Sequence, residues 1–204
     1  MSKGKLFVIS GPSGTGKGTI CKELLSRSDS MRLSISMTTR GPREGEVHGV
    51  HYFFAERDEF ISLINEGGFI EYADVYGNFY GTPKKQVEAW LDDGDDVLLE
   101  IDVQGAIQVK KNYPDSVLIF VLPPSIKVLR ERLEGRGTDS AQVIEKRMDG
   151  ALGEISLIGE YDYSVVNDNL EEAVEAVEAV IRVEHLKLTG ESAEEIAGRY
   201  RQEV

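Results

Sequence analysis

Short apolar runs alternate with stretches of helical period along this chain. The run LFVIS at 6–10 predicts a buried strand, followed by a glycine loop and a helix from about 17 to 28. LSISM at 33–37 and YFFA at 52–55 predict two more strands. Between 57 and 67, RDEFISLINEG sets apolar residues at 60, 61, 63 and 64, the spacing of one helix face. FIEYADVYG at 69–77 and NFYGT at 78–82 predict strands that meet at a turn, and Thr82-Pro83 predicts a helix N-cap with a first-turn proline. VLLEI at 97–101 and VLIFVL at 117–122 are strong buried-strand runs separated by a helix. A long helical pattern covers 126–160, interrupted at Gly135-Arg136-Gly137. YSVV at 163–166 predicts the last strand and 169–188 an acidic helix. Ser192 with Glu195 three residues on predicts a capping box for a short terminal helix.

Buried strands alternating with helices indicate an α/β fold, a parallel sheet with both faces covered. The section from about 36 to 82 breaks the rhythm, with more aromatics and strands meeting at turns. It is expected to form an inserted small antiparallel lobe. No internal repeat and no low-complexity linker interrupts the pattern.

Composition narrows the class. The chain has 204 residues, 41% hydrophobic and 29% charged, enough for a sizeable core without staples. The single Cys21 excludes a disulfide framework and a multi-cysteine zinc site. No apolar run approaches the roughly 20 residues of a membrane span. The start, MSKGKLFVIS, lacks a signal-peptide layout, so a cytoplasmic protein is expected. The formal net charge of −13 leaves no basic footprint for a nucleic-acid polymer. Most of it sits late in the chain: residues 151–204 hold 13 Asp+Glu against 4 Lys+Arg. It is therefore expected to be a solvated acidic face on the C-terminal helices that does not bear on an anionic ligand.

The first motif does call for an anionic ligand. Gly11-Pro12-Ser13-Gly14-Thr15-Gly16-Lys17-Gly18-Thr19 follows a strand and opens a helix. In that context glycines let backbone N–H groups form an anion nest, and the helix N-terminus adds partial positive charge. Lys17 is placed to reach β- and γ-phosphates. The general pattern ends Gly-Lys-[Ser/Thr], whereas here Gly18 takes the last place and Thr19 follows. A direct hydroxyl ligand to Mg²⁺ at position 18 is missing. That leaves two ways to hold the metal, through water or through substrate phosphates.

Further along, Arg40 and Arg43 flank a Gly-Pro turn, where both guanidiniums can converge on one phosphate. Asp102 lies just past a buried strand, where ligands bind in open α/β sheets, and Glu100 shares its strand face. The stretches GPSGTGKGT, SMTTRGPREGE, HYFF, FIEYADVYGNFYGT, LEIDVQG and RLEGRGT, in this order, resemble the guanylate kinase family. The resemblance covers 4–184 and implies a P-loop NTPase three-layer parallel-sheet core with an inserted GMP-binding lobe and a helical lid. The core takes 1–35, 83–125 and 151–188, the lobe 36–82 and the lid 126–150, with a C-terminal helical extension over 189–204.

The implied reaction moves the γ-phosphoryl of ATP to GMP, with dGMP as a second acceptor, in purine nucleotide metabolism and GMP recycling. The implied cofactor is Mg²⁺ with ATP. The partners are ATP and GMP, with no polymer and no membrane, the chain acting alone or as a small homo-oligomer. Guanine presents N1–H and N2–H₂ donors beside an O6 acceptor, so reading it needs carboxylates and a donor group. By resemblance Glu71 and Asp102 are the carboxylates, while Ser36 and Thr82 supply hydroxyls; the family commonly has Ser at the last position. Arg40, Arg43, Tyr52 and Tyr80 resemble the clamp on the GMP phosphate, although on sequence terms both tyrosines also fit a core. Asp102 also suits a place near Mg²⁺, as does Thr19, each through water, and the role of Glu100 stays open.

Arg132 and Arg136 are four apart, on one face of a helix that persists that far, and Arg147 lies on the next helical stretch. By resemblance the three close over the ATP phosphates, where phosphoryl transfer needs charge stabilisation. Asn167, with Asp168, resembles the adenine-side loop. Three histidines, His48, His51 and His185, show no metal-ligand spacing. Two other readings compete: a non-catalytic binding module of the same fold, and a kinase for another nucleoside monophosphate. Lys17 with the three arginines weighs against the first, and the Glu71/Asp102 and Ser36/Thr82 set against the second.

Overall fold

The computed structural model describes residues 3–75, 77–135, 140–188 and 190–202. In chain order the elements are β1 (Leu6–Ser10), α1 (Lys17–Ser26), β2 (Met31–Leu33), β3 (Met37–Thr38), β4 (Phe53–Phe54), α2 (Arg57–Asn65), β5 (Phe69–Val75) and β6 (Asn78–Pro83). There follow α3 (Lys84–Asp93), β7 (Asp96–Glu100), α4 (Val103–Asn112), β8 (Val117–Leu122), α5 (Ile126–Glu134), α6 (Ala141–Ile155), β9 (Tyr163–Val166), α7 (Leu170–Leu186) and α8 (Gly190–Gln202).

The main sheet has the order β2-β7-β1-β8-β9, all pairs parallel. Its three central strands are built on apolar runs, Leu6–Ile9, Val97–Leu99 and Val117–Leu122, because both faces are covered there. In β1, Phe7 and Ile9 join Ile20, Leu24, Val174 and Val177 under α1 and α7, while Leu6 and Val8 join Val87, Leu91 and Val109 under α3 and α4. Burying each such side chain stabilises the fold by about 1.5–3 kcal/mol. This two-faced sandwich fixes the C-terminal strand ends on which the site is built.

The run LSISM does not form one strand. Its Leu33 ends β2 in the main sheet, and its Met37 begins β3 in a second sheet. Ser34 N–H still donates to Leu98 O (2.9 Å), whereas Ser36 O accepts from Phe53 N–H (2.9 Å). The chain thus leaves the core and enters the lobe at Ser36. The lobe sheet has the order β4-β3-β6-β5. The β5–β6 and β3–β6 pairs are antiparallel, but β3–β4 is parallel, so the lobe is mixed rather than antiparallel. The connection from 39 to 52 has the dozen or more residues that a parallel return requires. Phe60 of α2 stacks on Phe69 (4.3 Å between centroids) and Phe79 (5.4 Å), giving the lobe its own aromatic core. Asn112 of α4 donates to Ile70 O (2.8 Å), tying lobe to core.

Two expected caps fail. Thr82 remains in β6 and Pro83 is the residue before α3, because Pro83 still pairs with Phe69 and the Thr82 hydroxyl bonds elsewhere. Helix α8 begins at Gly190, which places Ser192 inside its first turn; an N-cap must be non-helical, so no capping box starts there. After β8, α5 and α6 pack through Leu129, Leu133, Ile144 and Met148, with an ion pair between Arg130 and Glu145. Helix α5 ends at Glu134, so the face expected to carry both Arg132 and Arg136 stops short of Arg136, which lies outside the described residues.

The acidic surface is partly paired. Asp92 meets Lys3 (2.8 Å) and Asp95 meets Arg32 (2.8 Å). Asp96 accepts from Lys5 N–H (2.8 Å) and lies 2.7 Å from His185 Nε2. Among the described residues, no helix is long and apolar enough to cross a membrane.

Candidate active site

The glycine loop turns between β1 and α1. Gly11, Gly14 and Gly16 have positive φ, and Gly16 is the residue before α1. A Cβ on Gly16 would lie 2.4 Å from Asn167 Nδ2, so both its φ of 91° and its neighbour demand glycine. Asn167 braces the loop from the end of β9: its Nδ2 donates to Thr15 O (2.8 Å), while its own carbonyl accepts from Arg132 Nη2 (2.9 Å). The buried Thr15 hydroxyl donates to Pro12 O (2.9 Å), closing the turn from within. Arg147 of α6 donates to the exposed Ser13 Oγ (3.1 Å). Arg132 and Arg147 therefore both reach the loop, from two different helices.

Lys17 Nζ donates to the carbonyls of Gly11 (2.6 Å) and Pro12 (3.0 Å). Burial lowers its pKa, opposed by Glu100, Glu154, Cys21 and Asp102. Thr19 is exposed on the first turn of α1.

Beside the loop lies a cavity of about 260 Å³ whose walls include Ser36, Tyr52, Glu71, Tyr80, Glu100 and Asp102. Five of these six come from four of the motifs, SMTTRGPREGE, HYFF, FIEYADVYGNFYGT and LEIDVQG, and Glu100, of open role in the sequence, is the sixth. Glu71 is 6% exposed and accepts from the fully buried Thr82 hydroxyl at 2.6 Å. Its pKa is pushed up to about 7, mainly by burial and further by Asp102, with the Thr82 hydroxyl opposing. The donor proton of Thr82 is thus spent on Glu71. Asp102 caps α4, its Oδ1 accepting from Gly105 N–H (2.8 Å).

Gly105 is a residue whose place in the site no sequence signal reveals. A Cβ there would lie 3.0 Å from Glu71 Oε2 and 3.3 Å from Ile101 Cδ1. Gly105→Ala is expected to displace the Glu71 carboxylate, weakening whatever ligand this cavity takes about 10-fold, a loss of about 1.4 kcal/mol, with binding at the glycine loop unchanged in titration calorimetry.

Glu46 is a second residue of the site that the motifs alone do not single out. Arg40 makes a two-pronged pair with it, Nη1 and Nη2 each donating at 2.9 Å, and Arg40 Nε donates to the Tyr80 hydroxyl (3.3 Å). Arg43 is exposed and tied to the same carboxylate through its backbone N–H (2.7 Å). Arg40 and the backbone of Arg43 hold Glu46 well below the usual carboxylate range, at about 2. Tyr52 and Tyr80 meet edge to face at 6.1 Å, with the Arg40 guanidinium 5.4 Å from the Tyr52 ring centre. An acid three residues after Arg43 in GPREGE was the available signal. Glu154 of α6 is a third, facing Lys17 electrostatically.

The histidines are structural. His51 Nδ1 accepts from Val47 N–H (3.0 Å) and His48 Nδ1 from Phe54 N–H (3.2 Å). Among the described residues no three His, Cys, Asp or Glu side chains converge on a metal site. Cys21 is buried and burial pushes its thiol pKa up, so it behaves as a small apolar residue.

A family model described as guanylate kinase matches residues 3–184. A guanylate kinase of Carboxydothermus hydrogenoformans is 55% identical over 187 residues, covering 92% of each chain. One from Streptococcus thermophilus is 52% identical over 200 residues, covering 98% of this chain and 93% of its own. The crystal structure of guanylate kinase from Anaplasma phagocytophilum superposes with a TM-score of 0.74 at 37% identity, covering 91% of this chain and 88% of that one. With a phosphate loop, a carboxylate-lined cavity beside it and these relatives in agreement, the chain belongs to the guanylate kinase family, whose members are ATP:GMP phosphotransferases.

Proposed function

We propose that this chain performs the ATP-to-GMP transfer with its cleft divided between the two nucleotides. Gly11 to Thr19 cradle the ATP phosphates, and Lys17 moves from the Gly11 and Pro12 carbonyls onto the β- and γ-phosphates. Arg132, Arg147 and, by family resemblance, Arg136 stabilise charge on the moving phosphoryl group. Asn167 holds the loop and flanks the adenine side. On the acceptor side Glu71, Asp102 and Ser36 read guanine, while Thr82 and Gly105 set the Glu71 carboxylate. Arg40, Arg43, Tyr52 and Tyr80 hold the GMP phosphate, with Arg40 exchanging Glu46 for it. A cytoplasmic location goes with this reading.

Mg²⁺ accompanies ATP in this proposal. The donor set fits: Thr19 on the first turn of α1 and Asp102 in the adjoining cavity offer hard oxygens, and the Glu100 carboxylate lies 3.2 Å from where a Cβ on Gly18 would sit. When bound, the ion would neutralise charge on the ATP phosphates.

The observation that carries the guanine reading is the buried Glu71, aimed into a cavity it shares with Asp102 and Ser36. A site built around acceptors penalises a base that lacks matching donors. A coupled assay offering ATP with GMP, dGMP, AMP, CMP or UMP is expected to show fastest turnover with GMP. No turnover with GMP would favour the non-catalytic module, and faster turnover with AMP would favour the other kinase class.

A further inference from the structure

A second cavity, of about 380 Å³, lies at the other ends of the elements that build the cleft. Helix α1 opens at Lys17 beside the loop and ends with Leu24 and Arg27 in this wall. Strand β7 ends at Glu100 in the cleft and begins at Asp96 here. Ten residues of helix span about 15 Å and four of strand about 13 Å, so the two sites are separate. The floor is apolar: Leu24, Met31 and Ile181 are buried. The rim is polar and unevenly paired. Asp96 accepts from Lys5 N–H through Oδ1 and lies 2.7 Å from His185 Nε2 through Oδ2. Glu178 lies 3.8 Å from Arg27 Nη1, while Arg27 Nη2 donates to Glu171 (2.6 Å). Both carboxylates of the rim therefore already face a cation. Arg182 is different. It stands on α7 among five glutamates, yet among the described residues nothing bonds or pairs with its guanidinium. The hydroxyls of Ser28 and Ser30, 3.5 Å apart, share this rim.

We propose that this cavity binds a small organic monoanion, a carboxylate on an apolar body. Arg182 holds the charged head, with Ser28 and Ser30 as further donors, and Leu24, Met31 and Ile181 hold the body. The volume falls within the roughly 300–1,000 Å³ of ligand pockets, and an apolar floor with a few polar groups at its edge is their usual build. A guanidinium presents parallel donors that match a carboxylate. The charge count sets the class. One cation without a partner suits one negative charge, whereas Asp96, Glu171 and Glu178 around it repel a polyanion. The features that attract a single carboxylate thus turn away nucleotides. This inference stands whatever the cleft binds.

The test uses hexanoate as the probe, with hexanol and hexylamine as controls. Each is titrated into the whole protein and followed by backbone amide shifts in nitrogen–proton correlation spectra. Hexanoate is expected to shift amides of residues 24–31, 96–98 and 178–185 and to bind at least about fivefold more tightly than hexanol, with hexylamine weaker still. Arg182→Gln is expected to cost hexanoate about fivefold and leave hexanol unchanged. Arg182→Lys, which keeps the charge and loses the fork, is expected to cost less. Saturating ATP or GMP is expected to leave hexanoate affinity unchanged. Arg182 is exposed, and the spectra themselves report whether each variant keeps the fold.

Equal affinity for hexanoate and hexanol would overturn the anion reading, as would unchanged hexanoate affinity in Arg182→Gln. Displacement by ATP or GMP, with shifts confined to residues of the cleft, would place the probe there and overturn the second site. So would the lack of any saturable shift with hexanoate.

Discussion

Lys17→Met is expected to lower kcat at least about 100-fold while GMP affinity stays within about twofold, since removing one preorganised charge-stabilising donor typically costs 10²–10³ in rate. Methionine matches the length of lysine and keeps its apolar stem, so the loop retains its packing. It loses the only charge the loop itself carries toward phosphate. In the structure that charge is held ready: Nζ is bonded to two loop carbonyls, and burial has already lowered its pKa against the pull of Glu100 and Glu154. A partly desolvated cation needs little rearrangement to follow the developing negative charge. The proposed acceptor cavity is lined by other elements, among them β5, β6 and the end of β7, so GMP binding is not expected to depend on Nζ. Steady-state kinetics and GMP calorimetry check the two halves separately. A parallel collapse of GMP affinity would show that the two sites are not divided as proposed.

Glu71→Gln is expected to weaken GMP about 100-fold, leave ATP affinity unchanged and raise thermal stability at pH 8. The first effect follows from hydrogen bonding. A carboxylate accepts from both guanine donors, whereas an amide turns one acceptor into a donor, and a bond to a charged group contributes about 1.5–3 kcal/mol. The stability effect has the opposite sign. Glu71 carries a pKa of about 7 in the fold against the ordinary 4.5, with burial as the main cause. A raised carboxylate pKa means that the folded chain binds the proton more tightly than the unfolded one. The stabilising share of protonated Glu71 is complete below about pH 4.5 and is lost as pH rises through about 7. Above that, the buried charge penalises the fold. A neutral amide removes the penalty, so the melting temperature is expected to rise by a few degrees at pH 8 and to change little at pH 5.

The same titration predicts a pH profile. If Glu71 reads guanine as proposed, GMP selects the ionised carboxylate, so its KM is expected to fall from pH 6 to pH 8 in the wild type. The GMP phosphate also titrates, with a second pKa near about 6, but it does so identically in both proteins. The difference between the two profiles therefore isolates Glu71. Matching profiles in wild type and Glu71→Gln would remove Glu71 from base reading.

Much of the fold was legible because local chemistry and final structure agree. LFVIS, VLLEI and VLIFVL are apolar on both faces, and only a covered parallel sheet accommodates that. The glycine loop sits between a buried strand and a helix, so its residues can be read in one dimension. LSISM could not be read this way. Its two ends have similar β character, and their division between two sheets depends on Leu98 claiming Ser34 and Phe53 claiming Ser36. Thr82 followed by proline has the look of a cap, yet burial beside Glu71 gave its hydroxyl a stronger partner. The acidic run at Asp92 to Asp96 finds partners far away in the chain, Lys3, Arg32 and the Lys5 backbone, which no local pattern announces.

The amino-acid sequence by itself determined the alternation of strands and helices, the phosphate loop and the set of residue types able to read a purine and its phosphate. These are local properties, set by hydrophobic period, glycine spacing and side-chain chemistry over a few neighbours. The tertiary structure decided which of those groups face one another: Thr82 on Glu71, Gly105 beneath Glu71, Glu46 on Arg40, and Glu100 over Gly18. Such contacts join residues 6 to 82 positions apart, and they arise only when two sheets and their covering helices close around a common cleft. An absent Cβ carries no signal in one dimension. It becomes a statement about function when a carboxylate from another strand is found in contact with the space it leaves.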